Sequence, residues 1–169
     1  MDEHKIEHDA QALALGHLVV SFQFLESELL RIIVNCSTTG DPRAVSVLAN
    51  QLSFSNLTVA FVALIEVLSR DDDIKTRTRE LAGQLNQTNA GRNTFVHSHY
   101  HVSQWDLQGQ SILRRKARMK IKNGLMEDEA WFDPAAIYAL NEKMMKQCMD
   151  LHEIERKLLI EGVIPSFPD

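Results

Sequence analysis

The sequence has little cysteine, no surplus of positive charge and no long uninterrupted apolar run. Two cysteines among 169 residues provide no disulfide framework, and 44% apolar residues suffice for a core that needs neither disulfide nor metal. The 18 basic and 23 acidic residues give a net charge of −5, which excludes a generic attraction to nucleic acid or to an anionic membrane. Any site for a polyanion must therefore be local.

Targeting signals are also missing from the sequence. The first ten residues, MDEHKIEHDA, lack the basic and apolar regions of a signal peptide, and the uninterrupted apolar runs fall far short of the ~20 residues of a membrane helix. There is no internal repeat or low-complexity segment. We therefore expect one cytoplasmic domain, residues 1–169, that does not associate with a membrane.

Apolar residues recur at spacings of three and four through most of the chain, which predicts helices. The first helix, residues 6–36, has two neighbouring apolar stripes and is expected in the middle of a bundle. The main stripe comprises Leu15, Leu18, Phe22, Leu25, Leu29, Ile32 and Cys36, and the second comprises Ala10, Leu13, His17, Val20 and Phe24.

Four further helices follow from the same spacing and from their start signals. Asp41 and Pro42 predict the start of a short helix through Ala49, and residues 53–69 predict a helix that is buried on most sides. The next helix opens after SRDDD, and the last begins at FDPAA with Asp133 as N-cap and Pro134 at its first position.

Residues 101–132 differ from the rest and predict a β insertion. The run ILRRKARMKIK alternates between basic and other residues, and as a strand it places its cations on one face, although a helix is the alternative for this run. These cations are Arg114, Lys116, Arg118, Lys120 and Lys122. The predicted fold is therefore all-α: an antiparallel bundle of about five helices, with a small β-hairpin or meander inserted before the last helix.

The dipeptide Asn123-Gly124 predicts a two-residue hairpin turn. This turn sets Lys120 opposite Glu127 and Arg118 opposite Glu129, so that the hairpin can neutralise its own charges by cross-strand pairing. It sets Lys116 opposite Trp131, where a cation–π contact is possible. Arg114 and Lys116 are then the cations left without a carboxylate. The alternative is that the basic face binds a phosphate backbone, with Arg114 and Lys116 as its contacts.

Three histidines stand close together in NAGRNTFVHSHYH, residues 89–101. On a strand, His97, His99 and His101 would share one face and could bind zinc. The helical pattern, however, continues from Asn86 to Tyr100 without a stop signal, and on a helix alternate residues diverge by about 200°. Because no nearby cysteine or carboxylate pair completes a site, neither a metal nor another cofactor is predicted.

As a helix, the same stretch carries a polar stripe where packing would favour an apolar one. Asn86, Ala90, Asn93, His97 and Tyr100 recur at spacings of four and three. Ala90 and the neighbouring Gly91 keep the helix surface low, so that a second helix can approach closely. We therefore expect a homodimer at micromolar concentration, with this stripe at its interface.

Arginine and histidine together can cleave RNA without a metal. The guanidinium of Arg92 suits a phosphate, and the imidazole of His97 can transfer a proton near neutral pH. Two copies of the pair, brought together by a two-fold axis, would form a composite site. The alternative is structural, in which Arg92 pairs with a carboxylate of the bundle and His97 is a satisfied interface residue.

The hexapeptide Arg92-Asn93-Thr94-Phe95-Val96-His97 resembles the R-x4-6-H motif of the HEPN superfamily (higher eukaryotes and prokaryotes nucleotide-binding), including the polar residue after the arginine. The motif stands near the end of a late helix and another long helix follows, as in that superfamily. The helical resemblance covers roughly residues 6–100 and 133–161. HEPN toxins that pair with a nucleotidyltransferase antitoxin often have tyrosine two residues after the histidine, whereas here His99 occupies that position and Tyr100 follows.

The resemblance implies a metal-independent RNA endonuclease, a hydrolase with Arg92 and His97 as catalytic residues and with Asn93 positioning the phosphate or the arginine. It also implies a homodimer with both motifs at the interface, and a role as a toxin or in phage defence with an antitoxin or another protein partner. Candidate contacts to phosphate or RNA are Asn93, His99, Tyr100, Arg114 and Lys116. The alternative is a non-catalytic HEPN-like dimer that binds nucleotide, RNA or a protein.

Overall fold

The computed structural model describes the backbone of residues 3–37, 41–102, 112–120, 124–131 and 133–164, and the side chains of 9–37, 41–100, 112–116, 129–131 and 133–164. These residues form five helices and three strands, with the sheet between the fourth and fifth helices, so the predicted fold class is confirmed. In chain order the elements are α1 (Glu3–Cys36), α2 (Pro42–Ala49), α3 (Phe54–Leu68), α4 (Asp72–Val96), β1 (His99–Val102), β2 (Ile112–Lys120), β3 (Gly124–Trp131) and α5 (Pro134–Ile160).

The chain divides into two compact units. One comprises Met1–Val20 and Ala90–Glu142, and the other comprises Ser21–Asn89 and Lys143–Asp169. The first unit contains the three strands and the end of α4, so every residue that the sequence marks as a candidate for chemistry belongs to it.

The helix starts follow from local side-chain chemistry. The carboxylate of Asp41 accepts the backbone N–H of Arg43 at 2.9 Å, and that of Asp133 accepts the N–H of Ala135 at 2.9 Å. Each of these oxygens satisfies one of the N–H groups that a helix leaves unpaired in its first turn. The predicted N-caps of α2 and α5 are thus confirmed.

The two apolar stripes of α1 have different surroundings. Most of the main stripe is buried, as expected: Leu18, Phe22, Leu25, Leu29, Ile32 and Cys36. In the second stripe, by contrast, Leu13, Val20 and Phe24 are 55%, 65% and 50% exposed. The expected central position of α1 is therefore wrong, and so is burial of α3 on most sides, since Val59 and Val67 of α3 face solvent. Each of these helices buries a single face.

The segment Asp9–Cys36 of α1 is long and apolar enough to cross a membrane, by length and composition alone. The count of uninterrupted apolar runs missed this property, because polar and small residues interrupt the apolar ones throughout the segment. Core helices and signal sequences near the N-terminus pass the same test, and 28% of the apolar window is buried inside the protein.

In the second unit, ion pairs define the directions of the long helices. Arg77 of α4 contacts Glu153 of α5 at 3.1 Å, and Asp73 contacts Lys157 at 3.1 Å. As the α4 residue number falls, its α5 partner's number rises, so these two helices are antiparallel.

Helices α1 and α5 are instead parallel. Glu28 contacts His152 at 2.7 Å, and Arg31 contacts Glu155 at 2.5 Å as well as Glu28 at 2.8 Å. Burial alone would raise the pKa of Glu28, but hydrogen bonds from Arg31 and His152 outweigh it and hold the pKa below its ordinary value. The hydrogen bond to Glu155 raises the pKa of Arg31, which stays charged. This network fixes the register of the pair.

The three strands form an antiparallel sheet in the order β1-β2-β3, so the basic run is a strand and not a helix. The expected hairpin register is wrong by three residues, because Lys120 lies opposite Gly124 and not Glu127. Likewise Arg118 lies opposite Met126, and Lys116 lies opposite Asp128 and not Trp131. Residues 121–123 of the predicted turn, with Lys122, are outside the described residues.

The observed register puts Glu129 opposite Arg115, and the two form an ion pair at 2.5 Å with both side chains more than 40% exposed. It puts the small residue Ala130 opposite Arg114, on the other face of the sheet. A shift by an odd number of residues exchanges the two faces of β3. In the predicted register Glu129 would share the face of Arg114, which is buried, and burying that carboxylate would be unfavourable.

Candidate functional site

The R-x4-6-H residues lie at the carboxyl end of α4. This helix ends at Val96, so Arg92 and Asn93 are within its last turns and His97 follows directly. The expected continuation of the helix to Tyr100 is wrong, since β1 begins at His99 and pairs with β2. The alternating aromatic and β-branched residues of β1 suit a strand, and pairing with β2 decides between the two conformations.

Arg92 is half-buried and is hydrogen-bonded to its neighbour. Its Nη1 atom donates to Oδ1 of Asn93 at 2.9 Å. Because the amide oxygen holds the guanidinium near one orientation, Asn93 can position the arginine. This is one of the two roles that the resemblance implies for Asn93, and the role itself stays a prediction.

The side chain of His97 is exposed, and no hydrogen bond joins its imidazole to the described part of the chain. Its backbone N–H donates to the carbonyl of Asn93 at 3.3 Å and so continues the helical pattern past Val96. Five residues of helix correspond to about 7.5 Å along the axis and about 140° around it. Arg92 and His97 therefore leave α4 on different sides.

The histidines of β1 do not follow the helical geometry expected for them. His99 and His101 are alternate residues of a strand and share one face of it, so the expectation that they diverge on a helix is wrong. The side chain of His99 is exposed, and that of His101 lies outside the described residues. Among the side chains described, no three histidine, cysteine, aspartate or glutamate residues are grouped so that they could hold a metal ion.

Tyr100 belongs to β1 and not to a helical polar stripe. Its hydroxyl donates to the carbonyl oxygen of Phe95 at 2.7 Å. Burial raises the pKa of Tyr100 to about 12, against a smaller opposing effect of the nearby Arg114 charge. The phenol is therefore neutral at physiological pH and acts as a hydrogen-bond donor.

Arg114 and Lys116 lie beneath the end of α4 and are only 7% and 9% exposed. The Lys116 ammonium donates to the carbonyl of Asn93 at 2.5 Å. The Arg114 guanidinium approaches the carbonyl of Thr94 at 3.5 Å and the hydroxyl of Ser98 at 3.4 Å. Both cations thus face the motif from within the protein, and their predicted contact with RNA stays a prediction.

Gly91 does not face an open surface. A methyl group at this position would lie 3.5 Å from both Cδ atoms of Leu140 in α5. Gly91 therefore faces Leu140 of the same chain with room for a methyl group, whereas Ala90 and Asn86 are exposed. Within the first unit, Ala90 and His97 are exposed and could contact a second copy.

The described surface includes two cavities, of about 380 Å³ and 320 Å³. The smaller lies between α3 and α4 and is lined by Val59, Val62, Ala63 and Ala82, with the hydrogen-bonded pair Thr58 and Asn86 at 3.2 Å. Neither cavity is lined by Arg92 or His97.

Comparison with known proteins adds no constraint on this site. No family model matches the sequence, and no curated protein or solved structure is significantly similar to the chain.

Proposed function

We propose that the protein is a metal-independent RNA endonuclease, with Arg92 and His97 as catalytic residues and with a site completed by a second copy of the chain. The observation that carries this proposal is the exposed imidazole of His97, which has no hydrogen bond to the described part of the chain, at the same helix end as a guanidinium that Asn93 orients. A histidine retained for packing would be buried and hydrogen-bonded.

The reaction that suits these groups is an internal transfer of the RNA phosphate. The 2′-hydroxyl loses its proton to one imidazole and its oxygen bonds to phosphorus, while the bond to the 5′-oxygen breaks. A second imidazole, in the protonated form, gives a proton to the leaving 5′-oxygen. Arg92 offsets the added negative charge on the phosphorane. Because one chain has one motif, two copies provide the base and the acid.

The geometry of one α4 helix favours a composite site. Arg92 and His97 point to different sides of the helix, so they meet at one phosphate more readily when each comes from a different copy. A two-fold axis beside the exposed Ala90 would bring the two α4 ends together. We expect a dimer at micromolar concentration, and light scattering that finds a monomer across this range would refute the composite site.

A second candidate function is binding without catalysis, by a dimer that recognises nucleotide, RNA or a protein such as an antitoxin. The exposed apolar residues Leu13 and Val20 of α1 favour a protein partner, because contiguous exposed apolar surface commonly marks an interaction site. A toxin or phage-defence role rests on the resemblance in the sequence alone.

The test compares His97→Ala with His99→Ala, a matched exposed histidine two residues away. Because the His97 side chain is exposed, its replacement is expected to leave the melting temperature unchanged and to lower cleavage of a mixed RNA pool in EDTA by at least ~10²-fold. Arg92→Ala is expected to show a similar loss of cleavage. His99→Ala removes a candidate RNA contact but no proposed catalytic group, so it is expected to lower cleavage by less than His97→Ala.

A different pair of results would contradict the nuclease proposal. If the unmodified protein does not cleave RNA and His97→Ala is destabilised by ~1–3 kcal/mol, His97 is a structural residue and the nuclease proposal fails. Binding of RNA or a partner at the same surface would then be the surviving function.

A further inference from the structure

The last four residues of α4 follow Arg92 and include no cation. Its last turn has no basic residue, although the carbonyl groups there carry the negative end of the helix dipole. The last four carbonyls of a helix also lack helical N–H partners. In α4 these carbonyls belong to residues 93–96, between Arg92 and His97, and those of Asn93 and Phe95 accept the N–H groups of His97 and Ser98 beyond the end of the helix.

Three residues of the sheet donate to three successive carbonyls of this turn. Lys116 donates to Asn93 at 2.5 Å, Arg114 approaches Thr94 at 3.5 Å, and Tyr100 donates to Phe95 at 2.7 Å. We call these three the carbonyl contacts. Arg114 and Lys116 are alternate residues of β2, and Tyr100 lies opposite Arg114 in the β1–β2 register, so one face of the sheet makes them all.

Packing of the sheet against α4 does not by itself require two buried cations such as Arg114 and Lys116. Charged groups taken out of water are unfavourable unless they are paired, and apolar residues of similar size are often as stabilising or more so. At 7% and 9% exposure, Arg114 and Lys116 lie almost wholly inside the protein. Apolar side chains could fill this space, but they could not bind the carbonyls of α4.

We propose that Lys116, Arg114 and Tyr100 are positioning residues for the Arg92–His97 motif. The carbonyl contacts fix the backbone between Arg92 and His97, and with it the direction in which each side chain leaves the end of α4. The β insertion is then part of the site. The effect on cleavage rests on the proposed function, whereas the effect on the backbone does not.

The experiment uses the full chain and three variants at Lys116 and Arg115. Lys116→Met removes one carbonyl contact and keeps the length of the side chain, and Lys116→Arg restores a donor. Arg115→Met is the matched control, because Arg115 is the next residue of β2 and pairs with Glu129 on the exposed face. All proteins are compared at a temperature at which unfolding curves show them folded.

The first readout is amide hydrogen exchange at His97 and Ser98, whose N–H groups donate to the carbonyls of Asn93 and Phe95. Lys116→Met is expected to speed exchange there by about tenfold, the factor for one charge-assisted hydrogen bond. Lys116→Arg and Arg115→Met are expected to leave it near that of the unmodified protein. Unchanged exchange in Lys116→Met overturns the positioning role.

The second readout is RNA cleavage. Lys116→Met is expected to lower kcat by up to about 10²-fold with an unchanged KM, as for a misplaced catalytic group, and Lys116→Arg is expected to restore most of it. A raised KM, together with an RNA affinity whose dependence on salt is weaker by the amount of about one phosphate contact, would show that Lys116 binds RNA directly. That result would overturn the proposal.

The outcomes separate this inference from the proposed function. An unmodified protein that does not cleave RNA defeats the nuclease proposal, while hydrogen exchange still decides the positioning role. If Lys116→Met does not fold, Tyr100→Phe removes the 2.7 Å contact to Phe95 with little change in volume. That variant must then speed exchange at Ser98, and unchanged exchange overturns the proposal.

Discussion

Replacement of Gly91 by alanine tests whether a second helix approaches α4 at this residue. Gly91 is in the interior of α4, where glycine is less favourable than alanine by ~0.8–1 kcal/mol. The added methyl group would lie 3.5 Å from the two Cδ atoms of Leu140, which is an ordinary van der Waals distance. No neighbouring group has to move.

We therefore expect Gly91→Ala to raise the free energy of unfolding by about 1 kcal/mol. For a chain of 169 residues, this corresponds to a melting temperature higher by roughly 2–4 °C. Gly83→Ala is the matched control, because Gly83 is also inside α4 and a methyl group there would meet nothing within 4 Å. The two variants should be stabilised similarly in urea unfolding and in thermal scans.

The dimer dissociation constant, from sedimentation or light scattering, gives the result that would refute this reasoning. If a second copy packs against the backbone at Gly91, the alanine variant would dimerise more weakly while Gly83→Ala would not. Destabilisation of Gly91→Ala by more than about 1 kcal/mol relative to Gly83→Ala would likewise show a closer approach than the distance to Leu140 implies.

Two further predictions concern charge. Glu129→Lys should lower the free energy of unfolding by ~0.2–1 kcal/mol, because Glu129 pairs with Arg115. Glu127 lies opposite Ala117, so Glu127→Lys should change the free energy of unfolding little. Equal effects of the two substitutions in urea unfolding would mean that the register is wrong. Glu28 has a lowered pKa in the folded state, so its contribution to stability is present above its unfolded pKa of ~4.3 and is lost as pH falls through the folded value. In urea unfolding, Glu28→Gln should therefore be less stable than the unmodified protein at pH 7, and the two free energies of unfolding should approach each other at pH 3. A difference in stability that widens on acidification would contradict the lowered pKa of Glu28.

Helices and their starts could be predicted from the sequence because the information is local. The spacing of Leu18, Phe22 and Leu25 marks a helix wherever it lies, and the capping by Asp41 and Asp133 involves a residue two positions away. The main stripe of α1 and the presence of a strand at residues 112–120 were predicted on the same basis and are confirmed.

Features that depend on distant partners could not be predicted. The helical pattern through Tyr100 is broken by pairing with Arg114, fourteen residues later, which no local signal reveals. The exposure of Leu13 and Val20 depends on which elements pack against α1, and an apolar stripe looks the same in either case. The alternation of residues in β2 predicted that Arg114 and Lys116 share one face of the strand. It did not predict that this face contacts the end of α4.

The parallel pairing of α1 with α5 has a consequence for synthesis of the chain. Arg31 finds its partner Glu155 only after 124 further residues have been added. At about 5–20 residues per second, that interval is roughly 6–25 s, during which α1 has emerged from the ribosome and α5 has not. During this time α1 lacks its neighbour α5, so a chaperone or a partner protein that binds apolar helices can reach the main apolar stripe of α1. Truncation before α5 should therefore yield a chain that aggregates rather than a smaller folded protein.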